Sequence, residues 1–347
     1  MNAGWASRRA RVTVLVALLA AAIAVGAAGL FAGRMVAPHE VWAVVTGAND
    51  DPLAHHVVMR LRMPRTLVAL TAGACLGTAG LLLQASLRNP LAGPEVTGVA
   101  PGAVLGAVAA SGAGLASWSS PGSVAAAACA GGFLGAGLLW LLTGGRRTDP
   151  LMTAVYGVLV SALLSGLTAV VLVAAPGELG SVVQWLVGST EGRVWEHWHM
   201  LGPWALAWGA AAFACAGALG VLRSGDEHAA AVGLAPARTR AYALVCAVAL
   251  TAGAVAAVGA LGFVGLLAPH VATALLGADL RAALPGAALV GAVIVGGSDS
   301  AAQALSPPLA ELFGSDRFLL PTGAITTGVG ALVLLAVARR YAPNEDQ

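Results

Sequence analysis

The sequence predicts an all-α membrane protein of about ten transmembrane helices, and three observations carry that expectation. Of its 347 residues, 58% are hydrophobic and only 10% are charged, where a soluble domain has roughly 25% charged. The mean hydropathy is +0.84. The few charges fall between apolar stretches long enough for a helix to cross the bilayer core, which takes about 20 residues. Residues 1–347 read as a single transmembrane domain.

The first stretch runs from Val12 to Gly33 behind Arg8, Arg9 and Arg11. It imitates a secretory signal, but its apolar part of about 22 residues exceeds the usual 7 to 15 of a cleavable one, which favours a retained first helix. Further intervals without Asp, Glu or Arg lie at 66–87, 96–145, 150–177, 197–222, 241–278, 282–298 and 318–338. Two of these are too long for one helix. The interval 96–145 is broken at Ser117-Trp118-Ser119-Ser120-Pro121-Gly122, and 241–278 around Gly259 to Pro269. Each therefore holds two helices, and the total is ten.

Arginine placement orients the chain. With the N-terminus inside, twelve of the arginines fall on the cytoplasmic side and six outside, so both termini are expected in the cytoplasm of a cell-membrane protein. Arg34, Arg60, Arg62 and Arg65 crowd into the first external loop, against that gradient. An arginine presents a planar fork that grips carboxylates, so the external cluster suits an acidic extracytoplasmic partner. Snorkelling to the interface at a helix start explains it equally well.

The sequence Val-Ala-Leu-Thr-Ala-Gly occurs at 68–73 and again at 248–253, each followed by a proline-bearing break. By the span order the two copies run in opposite directions, the pattern of an inverted repeat. Gly73 and Gly77, then Gly98, Gly102 and Gly106, recur at a spacing that lets helix backbones approach closely.

Several functions are excluded or left without residues. All eighteen basic residues are arginine, so the chain lacks the P-loop lysine that reaches nucleotide phosphates. Any ATP and Mg would belong to a partner subunit, and no cofactor is expected here. Cys75, Cys129, Cys215 and Cys246 have no paired spacing and read as small buried side chains. His55-His56 and His197 with His199 have too few companions for a metal site and read as solvated loop residues. Asp299 stands alone between apolar runs, where an intramembrane carboxylate is a functional candidate, although near a span end it could reach water. No catalytic constellation is visible, and the net charge of +2 gives no argument for a nucleic-acid partner.

Two cytoplasmic segments stand out. Ser224 to Pro236 carries Ser224 and Glu227 at capping-box spacing and Gly233 at a C-cap position, predicting a short surface helix around Asp226. A helix of two turns is not stable alone, so something must hold it: its own bundle, or a soluble subunit docked there. The stretch Arg88-Asn89-Pro90 to Gly98 is the helix-hostile turn between the second and third spans. Such backbone is tolerated at membrane depth only where protein or a watered cavity surrounds it, which places Asn89, Pro90 and Gly98 in an inner gate region.

Taken together, Leu61-Arg62-Met63-Pro64-Arg65-Thr66, Leu83-Gln84-Ala85, Arg88 to Pro94, Gly98-Val99, Gly225-Asp226-Glu227, Gly233-Leu234, Gly262 to His270 and Leu320-Pro321-Thr322-Gly323-Ala324 resemble one family. It is the FecCD-like permeases of type II ABC importers, which carry ferric siderophores, haem or cobalamin. The resemblance implies a ten-helix type II permease fold and ATP hydrolysis on separate ABC ATPase subunits. It also implies a second permease chain, identical or similar, and an extracytoplasmic substrate-binding protein. Arg62 and Arg65, beside Arg60, match arginines that meet glutamates of that protein. Residues 224–236 match the cytoplasmic coupling helices, and Asn89, Pro90, Gly98, Pro269 and His270 fall on the inner gate or pathway. The chain departs from the family pattern at Leu319, Leu332 and Gln303, and in a longer loop from Ser306 to Leu320 where Arg317 could substitute for a missing external arginine. The rival reading is an ion-coupled secondary transporter. It would need ionisable residues inside the helices, and only Asp299 and His270 approach that.

Overall fold

In the computed structural model the described residues are 8–33, 35–48, 51–117, 120–143, 150–174, 186–314 and 319–341. They form helices joined by short connections, with no strand among them. α1 (Arg8–Phe31) leads into α2 (Pro38–Val45) and α3 (Pro52–His55). A π-helical turn, His56–Arg62, then feeds α4 (Met63–Leu87). α5 (Val99–Gly112), α6 (Pro121–Leu142) and α7 (Pro150–Ala174) follow. The second half comprises α8 (Trp195–Arg223), α9 (Asp226–Ala231), α10 (Pro236–Val258), α11 (Val264–Leu276), α12 (Leu280–Phe313) and α13 (Thr322–Tyr341). Among the described residues, seven helices are long and apolar enough to cross a membrane, and α5, α11 and the apolar part of α13 are three shorter ones. That agrees with the ten spans expected.

The sequence explains where the helices start. Proline occupies the first positions of α2, α3, α6 and α10, where its missing N–H costs nothing. Asp51 caps α3 through the amides of Leu53 and Ala54. Asp279 caps α12 through the Arg281 amide and also pairs with Arg11 at 2.8 Å.

The repeat is visible in the packing. α4 and α10 lie against each other in opposite directions: Arg88, at the end of α4, sits with Arg240, in the first turns of α10, on the same carboxylate. Each long helix is followed by a break and a short helix, and each short helix crosses to the other half: α5 packs on α10 and α11 on α4. The centre is built from α4 and α10, most of whose side chains are buried. Lipid tails supply no hydrophobic drive between helices, so close backbone contact must replace it. A Cβ at Gly73 would sit 2.2 Å from the Gly291 carbonyl oxygen of α12, and one at Gly102 would sit 2.4 Å from the Gly131 carbonyl of α6.

Several expectations need correction. The second break is shorter than the sequence suggested. Helix resumes at Val264, and Pro269 lies inside α11. Its ring leaves the carbonyl four residues back, that of Gly265, without a helical partner, and this oxygen points at Gly80, where a Cβ would be only 1.8 Å away. The proline is thus accommodated by a glycine contact with α4. The expected loop from Ser306 is helical as far as Phe313 and is tied back by the Leu320 amide on Ser306 Oγ at 3.0 Å. His55 and His56 sit at a helix junction, and His197 and His199 lie in α8 rather than in loops. Arg34, Arg146, Arg147 and Arg317 fall outside the described residues.

Candidate functional site

The charged side chains gather at the two ends of α4. At the C-terminal end of α4, α8 stops at Arg223 and α9 begins three residues later, at Asp226. The capping box predicted for Ser224 and Glu227 is not formed. Ser224 is the C-cap of α8, and the N-cap of α9 is Gly225 at φ 132, whose backbone only glycine adopts readily. What holds this six-residue helix is Asp226. Its Oδ1 accepts from Arg240 Nη2 at 2.5 Å and from Arg88 Nη2 at 2.6 Å. The hydrogen bond and charge of Arg240, then those of Arg88, hold the Asp226 carboxyl below its ordinary range. Ala229 packs inward, while Glu227, His228, Ala230 and Val232 are exposed. Gly233 at φ 82 closes α9, and the Leu234 amide reaches the Ala229 carbonyl at 2.9 Å, the C-terminal cap expected there.

From Arg88, itself left-handed at φ 49, the chain enters the break. Asn89 is buried and turns the backbone by accepting the Leu91 amide on its side chain at 2.9 Å. Thr97 Oγ1 donates to the Gly93 carbonyl at 2.9 Å. Ser161 of α7 donates to the Glu95 carbonyl at 2.8 Å and accepts the Gly98 amide at 3.0 Å, fixing Gly98 at φ 77 before α5 starts. The Glu95 carboxylate turns towards the Phe263 and Gly265 amides at the start of α11. It also lines a cavity of about 350 Å³ with Leu76, Val104, Thr168, Leu186 and Leu261. His270 on α11 donates from Nδ1 to the Leu266 carbonyl at 2.7 Å. With Pro90, Gln84, Arg88 and Arg223 it lines a second cavity of about 450 Å³. Asn89, Pro90 and Gly98 thus lie in one broken stretch, His270 shares the second cavity with Pro90, and Pro269 is buried within α11.

At the other end of α4, the three arginines differ. Arg60 is exposed. Arg62 is 8% exposed and donates to the Leu30 carbonyl at 2.9 Å. Arg65 turns inward to Asp299 of α12, with Nη2 to Oδ1 at 2.8 Å and Nε to Oδ1 at 3.1 Å. Asp299 is 2% exposed, so it does not reach water as its place in the sequence allowed. It also accepts from the Thr190 hydroxyl and from Gln303 Nε2 at 2.9 Å, while Thr190 meets Thr322 at 2.7 Å. This knot joins α4, α12, the segment before α8 and the start of α13. Nearby, burial pushes the Arg193 guanidinium down to about 10, partly offset by Glu191. Sequence reasoning named Arg65, Asp299 and Gln303 separately and missed their union. It did not anticipate Glu95, Arg240 or Thr190; a lone acid inside a Pro-Gly break was the available signal for Glu95.

The FecCD transport family model matches residues 10–340. The chain belongs to this family. It is 34% identical to the Fe(3+)-citrate import system permease protein YfmE of Bacillus subtilis over 83% of this chain and 84% of that one. It is 32% identical to the ferric enterobactin transport system permease protein FepG of Escherichia coli, over 96% and 97%. With the cobalamin import system permease protein BtuC of Halobacterium salinarum the identity is 33%, over 86% and 79%. A solved inward-facing structure assigned to the metal-chelate type of ABC transporter superposes with a TM-score of 0.78. Its identity is 27%, and the match covers 94% of this chain and 99% of that one. The architecture is that of a type II ABC importer permease, and the ion-coupled carrier finds no support among these relatives.

Proposed function

We propose that this FecCD-family chain is the membrane-spanning subunit of an ABC importer that admits a ferric siderophore across the cell membrane. The family match along nearly the whole chain, on a ten-helix bundle, carries this reading. ATP and Mg are bound by separate ATPase subunits. Residues 224–236 meet them through the exposed surface of α9. A substrate-binding protein docks outside near Arg60, with Arg62 and Arg65 shaping the seat from behind or turning outward to it. A second permease chain covers apolar surface on α7 and α13, where Leu159, Leu163 and Leu332 are exposed. Asn89, Pro90, Gly98, Pro269 and His270 form the inner gate between the chains, and both termini are cytoplasmic.

The relatives named for iron chelates outweigh the cobalamin relative, which favours a siderophore over cobalamin or haem. The test is the full complex in liposomes, with ATPase activity and uptake measured for a ferric siderophore, haem and cobalamin. Stimulation by the siderophore is expected. Uptake that survives inactivation of the ATPase and collapses with a protonophore would overturn the reading.

A further inference from the structure

We propose that Asp226 and Arg88 form the mechanical link that carries movement of α9 into the inner gate, an inference that rests on the function proposed above. Three elements meet at one carboxylate, and a fourth, α8, is tied in through Arg88. Asp226 is the first residue of α9. Arg240 reaches it from α10 at 2.5 Å, and Arg88 from the end of α4 at 2.6 Å. Arg88 Nη2 also donates to the Leu222 carbonyl in the last turn of α8. The backbone of Arg88 passes directly into Asn89 and Pro90, and its side chain lines the 450 Å³ cavity with Pro90 and His270. A shift of Asp226 must therefore reach the gate residues through a side chain shared by both sites.

Two physical features make this a link rather than a surface ion pair. Charge-assisted bonds of this length are directional and stiff, and the Asp226 carboxylate, held by two arginines at once, keeps only 17% side-chain exposure. Arg88 also holds a left-handed backbone, φ 49, that a residue with a Cβ adopts at a cost. That geometry persists because the side chain is held at its far end by Asp226 and Leu222, and releasing them frees the turn that opens the break. The packing of α9 is otherwise directed at α8 and α10, so its direct path to α4 runs through the carboxylate. Asp226 and Arg88 are positioning residues in this scheme.

The experiment uses the complete complex, permease with ATPase and binding protein, in liposomes. Spin labels are placed at Ala230 on α9 and at Leu91 in the break, both exposed, with the partly exposed Cys129 replaced by serine. In the otherwise wild-type complex, both labels should move on ATP binding. In Asp226→Asn, the label on α9 should still move while that at Leu91 stays in its resting distribution, and uptake per ATP hydrolysed should fall about tenfold, a coupling loss of ordinary size. Asp226→Glu should restore both. Arg88→Gln, which leaves the Arg240 pair in place, should reproduce Asp226→Asn and serves if that variant does not assemble. A Leu91 label that moves normally in both variants would overturn the link and leave the proposed function standing. A wild-type complex whose α9 label ignores ATP would overturn both.

Discussion

Replacing Asp299 by alanine strands a guanidinium in a site built to neutralise it. Arg65 gives the carboxylate two hydrogen bonds, at 2.8 and 3.1 Å, and Thr190 and Gln303 each give another. Breaking one side of a buried ion pair costs about 3–5 kcal/mol. Arg65 keeps 22% side-chain exposure, so water reclaims part of its charge and the lower end, about 3 kcal/mol, is expected. Arg65→Met with Asp299→Leu removes both charges and should recover about 1 kcal/mol of the loss, because about 1 kcal/mol stays lost for each of the hydrogen bonds that Thr190 and Gln303 no longer make. The fold carries its own reporter: Cys75, Cys215 and Cys246 are free and buried, so a thiol-reactive dye reads unfolding of the detergent-solubilised chain. Detergent unfolding is commonly irreversible, so all variants are compared at one heating rate. The single variant should unfold well below wild type and the double variant between the two. Equal midpoints for Asp299→Ala and wild type would refute the assignment of the pair as a stabilising knot, and a double variant no better than the single would refute the stranded-charge argument.

Gly73→Ala should lower the same midpoint, by about 1–3 kcal/mol of overpacking, because its Cβ meets the Gly291 carbonyl at 2.2 Å. Gly137→Ala, which meets nothing within 4 Å, should change stability by no more than about 1 kcal/mol. Arg60→Glu should weaken binding-protein affinity most at low salt, as screened surface charges require, whereas Arg62→Glu should lower the unfolding midpoint because its side chain is buried on the Leu30 carbonyl. The Asp226 carboxyl is held below its ordinary value of 3.8. Its contribution to stability is therefore fully present above about pH 4 and is lost as pH falls through the depressed value. The wild-type minus Asp226→Asn difference in midpoint should be flat from pH 8 to 5 and shrink only in stronger acid.

The spans were legible because crossing a bilayer demands unbroken apolar length, a local property of the chain. The glycine contacts were legible for a related reason: small residues four apart mark one helix face, and Gly73, Gly77, Gly98 and Gly102 do lie on backbone contacts. The partners of the charges were not legible. Arg65 and Asp299 are 234 residues apart, and nothing local tells an arginine whether to face a partner outside or a carboxylate across the bundle. The capping box failed because α8 extends to Arg223 and claims Ser224 as its own end, leaving Gly225 to begin α9. Pro269 was read as a break because proline removes a helical hydrogen bond. The glycine at position 80 that receives the freed carbonyl can be recognised only once α4 and α11 are side by side.

Both charged knots hang on α4. Arg65 lies near its N-terminal start and Arg88 closes its C-terminal end, about 35 Å apart along the helix at 1.5 Å per residue. Between them Gly73 and Gly77 press on α12 and Gly80 on α11, backbone to backbone. Rotation or sliding of α4 against those helices would drive its Cα atoms into carbonyl oxygens, so the three must move as one body. A displacement imposed at the Asp299 knot therefore arrives at Arg88 with little loss. The same holds in reverse for a pull on Asp226. In the importer proposed above, α4 would be the element through which docking at one end and ATPase action at the other act on each other, with its stiffness supplied by glycines that leave no side chain to give way.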